Sequence, residues 1–334
     1  MTTTARKTDP PGIRGGTGRS SGPSPSPRGR NFGSSLNRWD FKYSPYLYVL
    51  PFFVLFAIVG LAPLVYTAWV ALNSWNLIAG QGDFVGLSNF TEILGESDFW
   101  KALRNTLSIF VLTMVPHLII GLVIAAALDR NIRAGTFWRM SVLVPYVVTP
   151  VAIALIFNSF FADESGLANS ILTDLGLNPI GWHQDVLASH VAISTMVNFR
   201  WLGNTALILL AGMQAIPRDL YEAASVDGAK VLRQFFSITI PQLRPTMIFV
   251  ILTMTIGGLQ IFAEPRLYDY QGQGGPDKQW LTLPLYIYNL GWGELDFGLA
   301  SAAAWLLFLL IIVFALINLF ISTRIARNEA RRNE

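Results

Sequence analysis

The sequence predicts an all-α membrane protein with six transmembrane helices, cytoplasmic N- and C-termini, and a helical loop between spans four and five. Three observations predict it. Only 13% of the residues are charged while 52% are hydrophobic, and that charge is about half of what soluble domains carry. Six apolar runs approach or exceed the roughly 20 residues needed to cross a hydrocarbon core. Lys and Arg are rich in every second loop and sparse in the others, the mark of alternating cytoplasmic and outer loops.

The elements follow in chain order. Residues 1–42 are dominated by Pro, Gly, Ser and Arg and can bury almost nothing, so a disordered cytoplasmic tail is expected. No short apolar core with a small-residue cleavage site follows the basic stretch, which excludes a cleavable signal peptide. The membrane domain is expected over 43–325, with a second cytoplasmic tail at 326–334. Its spans are Tyr46–Leu72, Leu103–Leu128, Phe137–Phe161, Ala188–Met213, Thr246–Phe262 and Leu299–Ile321. The fourth is the weakest, because it contains Asn198, Arg200 and Asn204; the fifth is short and broken by "TIGGLQIF". Pro51, Pro63, Pro116, Pro145 and Pro150 sit inside spans, where a packed bundle can satisfy the freed carbonyls.

Orientation comes from the loops. The tail before span one, the loops after spans two and four, and the C-terminus hold most of the basic residues, including Arg130, Arg133, Arg139, Arg218, Lys230, Arg233 and Arg244. The outer loops offer Lys101, Arg104, Arg266 and Lys278, and the stretch from Asp163 to Asp185 has no Lys or Arg. The net charge of +3 therefore reflects this sorting and does not point to nucleic acid.

Composition also excludes chemistry. With no cysteine, disulfides, thiolate metal sites and Cys nucleophiles are absent, and the three histidines are scattered. No Walker A, HExxH, GxSxG or EF-hand spacing occurs. No catalytic residue and no metal site is expected.

The loop "YEAASVDGAKVLRQFFSITIPQLRP" (221–245) lies between two spans yet is only half apolar. Asp219, after Pro217, suits the first turn of a helix. Leu220, Ala223 and Ala224 give that helix a small apolar face, and Gly228 is placed to break it. Leu232, Phe235 and Phe236 recur at helical spacing before Pro241, which is expected to stop a second helix. An amphipathic hairpin lying on the membrane would explain the phenylalanines; the small alanine face with Glu222 suits docking into a protein groove.

"EAA" at 222–224, Gly228, Ile238 and Ile240–Pro241 closely resemble the EAA loop of the permease subunits of binding-protein-dependent ABC importers, in the carbohydrate branch that contains the maltose permease. The likeness covers about residues 45–322 and includes "FVGLSNF" (84–90), "FWKALRNT" (99–106), "GGP" (274–276) and "FGLASAAAW" (297–305). It implies that a coupling loop, about 215–245, docks into a cleft of a separate ATPase. Glu222 would pair with a basic residue of the ATPase. Ala223, Ala224 and Asp227 belong to the same helix, and Gly228 would turn the chain. Leu232 and Phe235 would pack the second helix in place. The likeness further implies a second permease subunit, two ATPase subunits holding ATP and Mg, an extracellular solute-binding lipoprotein, and no cofactor on this chain. Two identical permease chains are the other arrangement.

Polar residues inside spans are costly and usually face a cavity. Arg200 and Asn204 share a face at i, i+4, with Asn198 and Trp201 beside it. Span five ends in "GGLQIFAEP", where Gln260, Phe262 and Glu264 alternate with apolar neighbours. Together these form a candidate solute pathway of planar polar groups and aromatic faces suited to a sugar, and the resemblance places sugar contacts on these two spans. Two readings of Arg200 stand at this point: it lines a cavity, or it pairs with a carboxylate and fixes helix packing. Glu264 could also sit at the outer surface, and Asn105 and His117 are weaker candidates. The "SPYLYVLPFF", "TFWRMSVLVPYVV" and "MVNFRWLGN" stretches look most like actinomycete-type permeases for cellobiose and related oligosaccharides. A glycerol phosphate ester, for which Arg200 would serve as phosphate partner, and a self-sufficient secondary transporter are the alternatives.

Overall fold

The computed structural model describes residues 33–130, 133–269 and 271–330. Most of the expected tail at 1–42 and the last residues of the C-terminal tail lie outside them. The chain divides into two compact units, Met1–Leu61 and Ala62–Glu334.

In the first unit, α1 (Gly33–Phe56) carries Pro45 and Pro51 and widens into a π-helical turn over Ala57–Leu61. It begins ten residues inside the segment expected as a disordered tail, which ends at 42. The reason is propagation: Ser34–Lys42 contains neither Pro nor Gly, and extending an existing helix fixes only one residue per added bond.

The second unit opens with α2 (Ala62–Ala71). An antiparallel hairpin follows, β1 (Asn73–Asn76) and β2 (Gly80–Phe84), a small correction to the all-α expectation. The Asn76 side chain makes the turn by accepting from the N–H groups of Ile78 and Ala79, and Gly80 takes a φ of 81° that suits glycine. After α3 (Ser88–Gly95) comes α4 (Ser97–Asp129), which keeps Pro116 within its length.

The third apolar run is not one straight span. It forms α5 (Gly135–Val147) and α6 (Pro150–Phe160), bent by 89°. Pro150 causes the break: its ring pushes Thr149 into extended geometry (ψ 146°), and the Thr149 hydroxyl caps α6 by accepting from Ala152 N–H. Next come α7 (Leu167–Asp174) and α8 (Val186–Gln214), then the short helices α9 (Arg218–Val226), α10 (Val231–Gln234) and α11 (Ile240–Gln242). Last are α12 (Arg244–Leu259), α13 (Ala263–Leu267), α14 (Leu283–Tyr288) and α15 (Phe297–Ala330).

Among the described residues, four stretches are long and apolar enough to cross a membrane: Tyr43–Ala71, Ser97–Asp129, Arg244–Leu267 and Phe297–Arg324. The bent α5–α6 pair would make a fifth. At 29 residues α8 is long enough, but its polar side chains keep it below the others in hydropathy.

Small residues let these helices approach closely. A methyl group on Gly203 of α8 would lie 1.9 Å from the Val142 carbonyl oxygen of α5. One on Gly212 would meet Leu243 and Thr246 at the start of α12 within 2.7 Å. Polar side chains then tie loop to helix. Asn105 of α4 donates to the carbonyls of Lys278 and Leu281, Thr106 accepts from Leu283 N–H, and His190 of α8 bonds Ser108 and the Gln279 carbonyl. The Tyr286 phenol donates to Glu96; burial, helped by the Glu96 charge, pushes its pKa above the ordinary tyrosine value and keeps the proton in place.

Gly203→Ala should therefore cost about 1–3 kcal/mol by overpacking α8 on α5. Gly257→Ala, where added atoms meet nothing within 4 Å, should not destabilise. Thermal unfolding of both purified variants checks this, and equal midpoints would contradict the close contact.

Candidate functional site

Two polar regions border or interrupt the apolar helices at the residues singled out above. The first is the hairpin between α8 and α12. Pro217 precedes α9, whose first turn holds Asp219. The helix ends at Asp227 in a Schellman closure: Ala229 N–H donates to the Ala224 carbonyl, Gly228 N–H to that of Ser225, and Gly228 has a φ of 75°. That conformation needs glycine, since a side chain there clashes with the backbone.

The returning strand of the hairpin is tied to the first. Gln234 donates to the Ser225 hydroxyl and the Ala229 carbonyl, and Tyr221 shares a 2.9 Å hydrogen bond with Thr239. These four side chains were not candidates from the sequence, because polar loop residues carry no periodic signal. Pro241 does not stop the second helix. The chain widens into a π-helical turn over Phe235–Thr239 and re-enters a helix in which Pro241 occupies the first turn, where its missing N–H costs nothing.

Glu222, Ala223 and Asp227 are exposed, and Ala224 is half-buried. Phe235 packs on the core cluster formed by Leu209, Met213 and Leu243. Leu232 does not pack with it: it is 73% exposed, because the π turn beginning at Phe235 changes which face meets the core. Val226, Val231 and Phe236 of the same hairpin are exposed as well. Arg218, at the start of α9, is paired with Asp129 at the end of α4 at 3.2 Å.

The second region lies on α8 and α13. Arg200 Nε is 3.2 Å from Glu264 Oε1, with the two side chains 15% and 4% exposed. The N–H does not point along that line, and neither atom has another hydrogen-bond partner, so this is a contact of charges rather than an aligned hydrogen bond. The Arg200 guanidinium also lies 4.9 Å from the Trp201 ring centre, and Trp201 meets the Tyr146 ring edge-on at 5.2 Å. Tyr146 comes from the last turn of α5, beside the bend.

Asn198 faces elsewhere. Its carboxamide oxygen bonds His117 Nδ1 at 2.7 Å, while His117 Nε2 bonds the Thr205 hydroxyl at 2.8 Å. Asn204 is half-buried with no side-chain hydrogen bond among the described residues. Gln260 is exposed at the end of α12. Phe262 packs on Tyr288 at 5.3 Å and borders a separate, aromatic-lined cavity of about 500 Å³ with Trp292 and Trp305. The candidate pathway residues thus separate: Arg200, Glu264 and Trp201 form an ion pair with an aromatic neighbour, Asn198 belongs to a helix-to-helix clamp, Phe262 borders an aromatic cavity, and Asn204 and Gln260 join none of these. His117 joins the clamp and Tyr146 the aromatic side of the ion pair, His117 having been only a weak candidate.

Residues 106–327 match the family described as binding-protein-dependent transport system inner membrane component. The chain is 31% identical over 283 residues to an arabinooligosaccharides transport system permease protein of Bacillus subtilis, covering 84% of this chain and 89% of that protein. It is 32% identical over 295 residues to a lactose transport system permease protein of Rhizobium radiobacter, covering 86% and 96%. Its fold is similar, with a TM-score of 0.72 at 20% identity, to a chain in the crystal structure of a bacterial alginate ABC transporter in complex with an alginate pentasaccharide-bound periplasmic protein. That likeness covers 89% of this chain and 98% of the other.

A buried charge without its partner is expensive, so Arg200→Met or Glu264→Met alone should cost about 3–5 kcal/mol, while the double variant should recover most of the loss. Thermal unfolding of the three variants tests this. Single losses that simply add in the double variant would show that the pair is not energetically coupled.

Proposed function

Because the chain belongs to the family of binding-protein-dependent transport system inner membrane components, we propose that it is the permease subunit of an ATP-driven importer that carries a di- or oligosaccharide into the cell. It is a transport component and not an enzyme. The observation that carries the reading is the α9–α11 hairpin: short, internally tied, and presenting Glu222 with exposed Val226, Val231 and Leu232. A loop that is to transmit force must be stiff within itself, and must bind its partner differently in two states to shift their populations.

In this reading the hairpin docks into a separate ATPase subunit, which supplies the ATP and Mg sites. Glu222 meets a basic side chain, the apolar patch enters the groove, and Gly228 holds the turn. Six crossings are assigned, with α8 and the bent α5–α6 pair among them, and both termini cytoplasmic; the alternation of basic loops supports this. The partners are a second permease subunit, two ATPase subunits and an extracellular solute-binding lipoprotein.

A β-linked disaccharide such as cellobiose is the proposed cargo. The names of the similar proteins support a saccharide, and lactose is itself a β-linked disaccharide. Trp201, Tyr146 and Asn204 offer aromatic faces and an unpaired carboxamide, the groups that bind sugar C–H surfaces and hydroxyls. Arg200 is already neutralised by Glu264, which weighs against an anionic solute such as a glycerol phosphate ester.

Uptake of labelled cellobiose by cells carrying the wild-type gene or Glu222→Ala tests both halves. Wild-type uptake should be ATP-dependent and should fall to background in the variant, with membrane insertion unchanged. Normal uptake by the variant would remove the hairpin's role; ATP-dependent uptake of other disaccharides but not cellobiose would remove only the cargo.

A further inference from the structure

A groove of about 440 Å³ runs between α4, α12 and α15 and touches none of the pathway residues. All three helices belong to stretches of membrane-crossing length and composition. On α12 the lining positions Arg244, Ile248, Ile251 and Thr255 recur every three to four residues. They form one stripe about 16 Å long at 1.5 Å rise per residue. Phe110 of α4 and Phe314 of α15, ring centres 6.2 Å apart, also wall the groove.

The groove is polarised. Its deep polar group, the Thr255 hydroxyl, is spent on the Ile251 carbonyl at 2.7 Å, so no donor faces the lumen there. At the other end Arg244, the first residue of α12, lies with Asn318 and Ser322 of α15. Arg324 is two residues further along the same helix, its guanidinium 4.6 Å from the Phe320 ring centre. A sugar would find no hydroxyl partners along such walls. A molecule with an apolar tail and an anionic head fits both ends.

We propose that this groove is a binding site for an acidic phospholipid, whose acyl chain lies against Ile251 and Phe314 and whose phosphate meets Arg244. Arg244 also interacts within the chain, but a guanidinium presents a fork of N–H donors that can serve two acceptors. Basic side chains at the membrane end of an interhelical pocket suit anionic headgroups through charge and through paired N–H···O bonds. An apolar groove left unfilled would forfeit dispersion contacts that an acyl chain restores.

The test is native mass spectrometry of the full-length chain, delipidated in detergent and then offered phosphatidylglycerol or phosphatidylcholine. The wild type should retain one phosphatidylglycerol with about tenfold preference, as one charge-assisted contact predicts. Arg244→Gln should lose that preference, Arg244→Lys should keep most of it, and Ile251→Trp, which fills the groove, should lose retention of both lipids. Thermal midpoints of the variants separate misfolding from lost binding. Equal retention of the two lipids by the wild type, retention unchanged by Ile251→Trp, or no retained lipid would each overturn the site.

Discussion

The pairing of α4 with α8 is the contact on which the rest of the structure depends. In a bilayer no water separates two helices, so their association rests on close packing and on polar groups that find each other. Here His117 reaches from α4 to both Asn198 and Thr205, two turns apart on α8, and His190 of α8 reaches back to Ser108. Gly121, one turn past His117, faces the same helix: a methyl group there would meet Thr205 and Leu209 at 3.5 Å. The pair is thereby fixed in rotation and in register.

That fixed register positions everything attached to α8. Gly203 turns its bare face to α5, Gly212 to the start of α12, and Arg200 to Glu264 on α13. The segment from Lys278 to Leu283 is pinned to the same two helices by Asn105, Thr106 and His190. At the opposite end Arg218, four residues past α8, is held by Asp129 at the end of α4, so the α9–α11 hairpin starts from the same pair. A movement imposed on the hairpin would therefore meet α4 and α8 first. The Arg200–Glu264 contact lies on that line. Buried pairs of this kind add little net stability but are costly to separate.

The limits of sequence reading show at particular residues. The runs expected as spans two, four and six fall within α4, α8 and α15, but α4 starts six residues earlier and α15 runs nine residues further than the apolar run alone marks. Asp219, Gly228 and the two-helix hairpin were legible from cap and turn chemistry. The bend at Thr149 was not, although Pro150 signals it, because a proline in a span is compatible with either a kink or a full break. The β1–β2 hairpin was missed because its strands are short and mostly polar. Leu232 and Phe235 looked alike by spacing, yet one is exposed and the other packed, because a π turn shifted the period between them.

The sequence by itself determined that the chain is a membrane protein, which of its stretches are long and apolar, and where a polar loop with turn chemistry interrupts them. Those follow from hydropathy, charge sorting and local turn preferences, all of which act over a few residues. Only the tertiary structure decided which polar side chains are used up and which remain. Arg200, Asn198 and Asn204 look alike in the sequence, as polar residues in one apolar run. One is paired with Glu264, one is bound to His117, and one has no side-chain hydrogen bond among the described residues. The partner that makes the difference stands 64 residues away along the chain for Arg200 and 81 for Asn198, counting from Glu264 and His117. No local pattern encodes a distance of that kind.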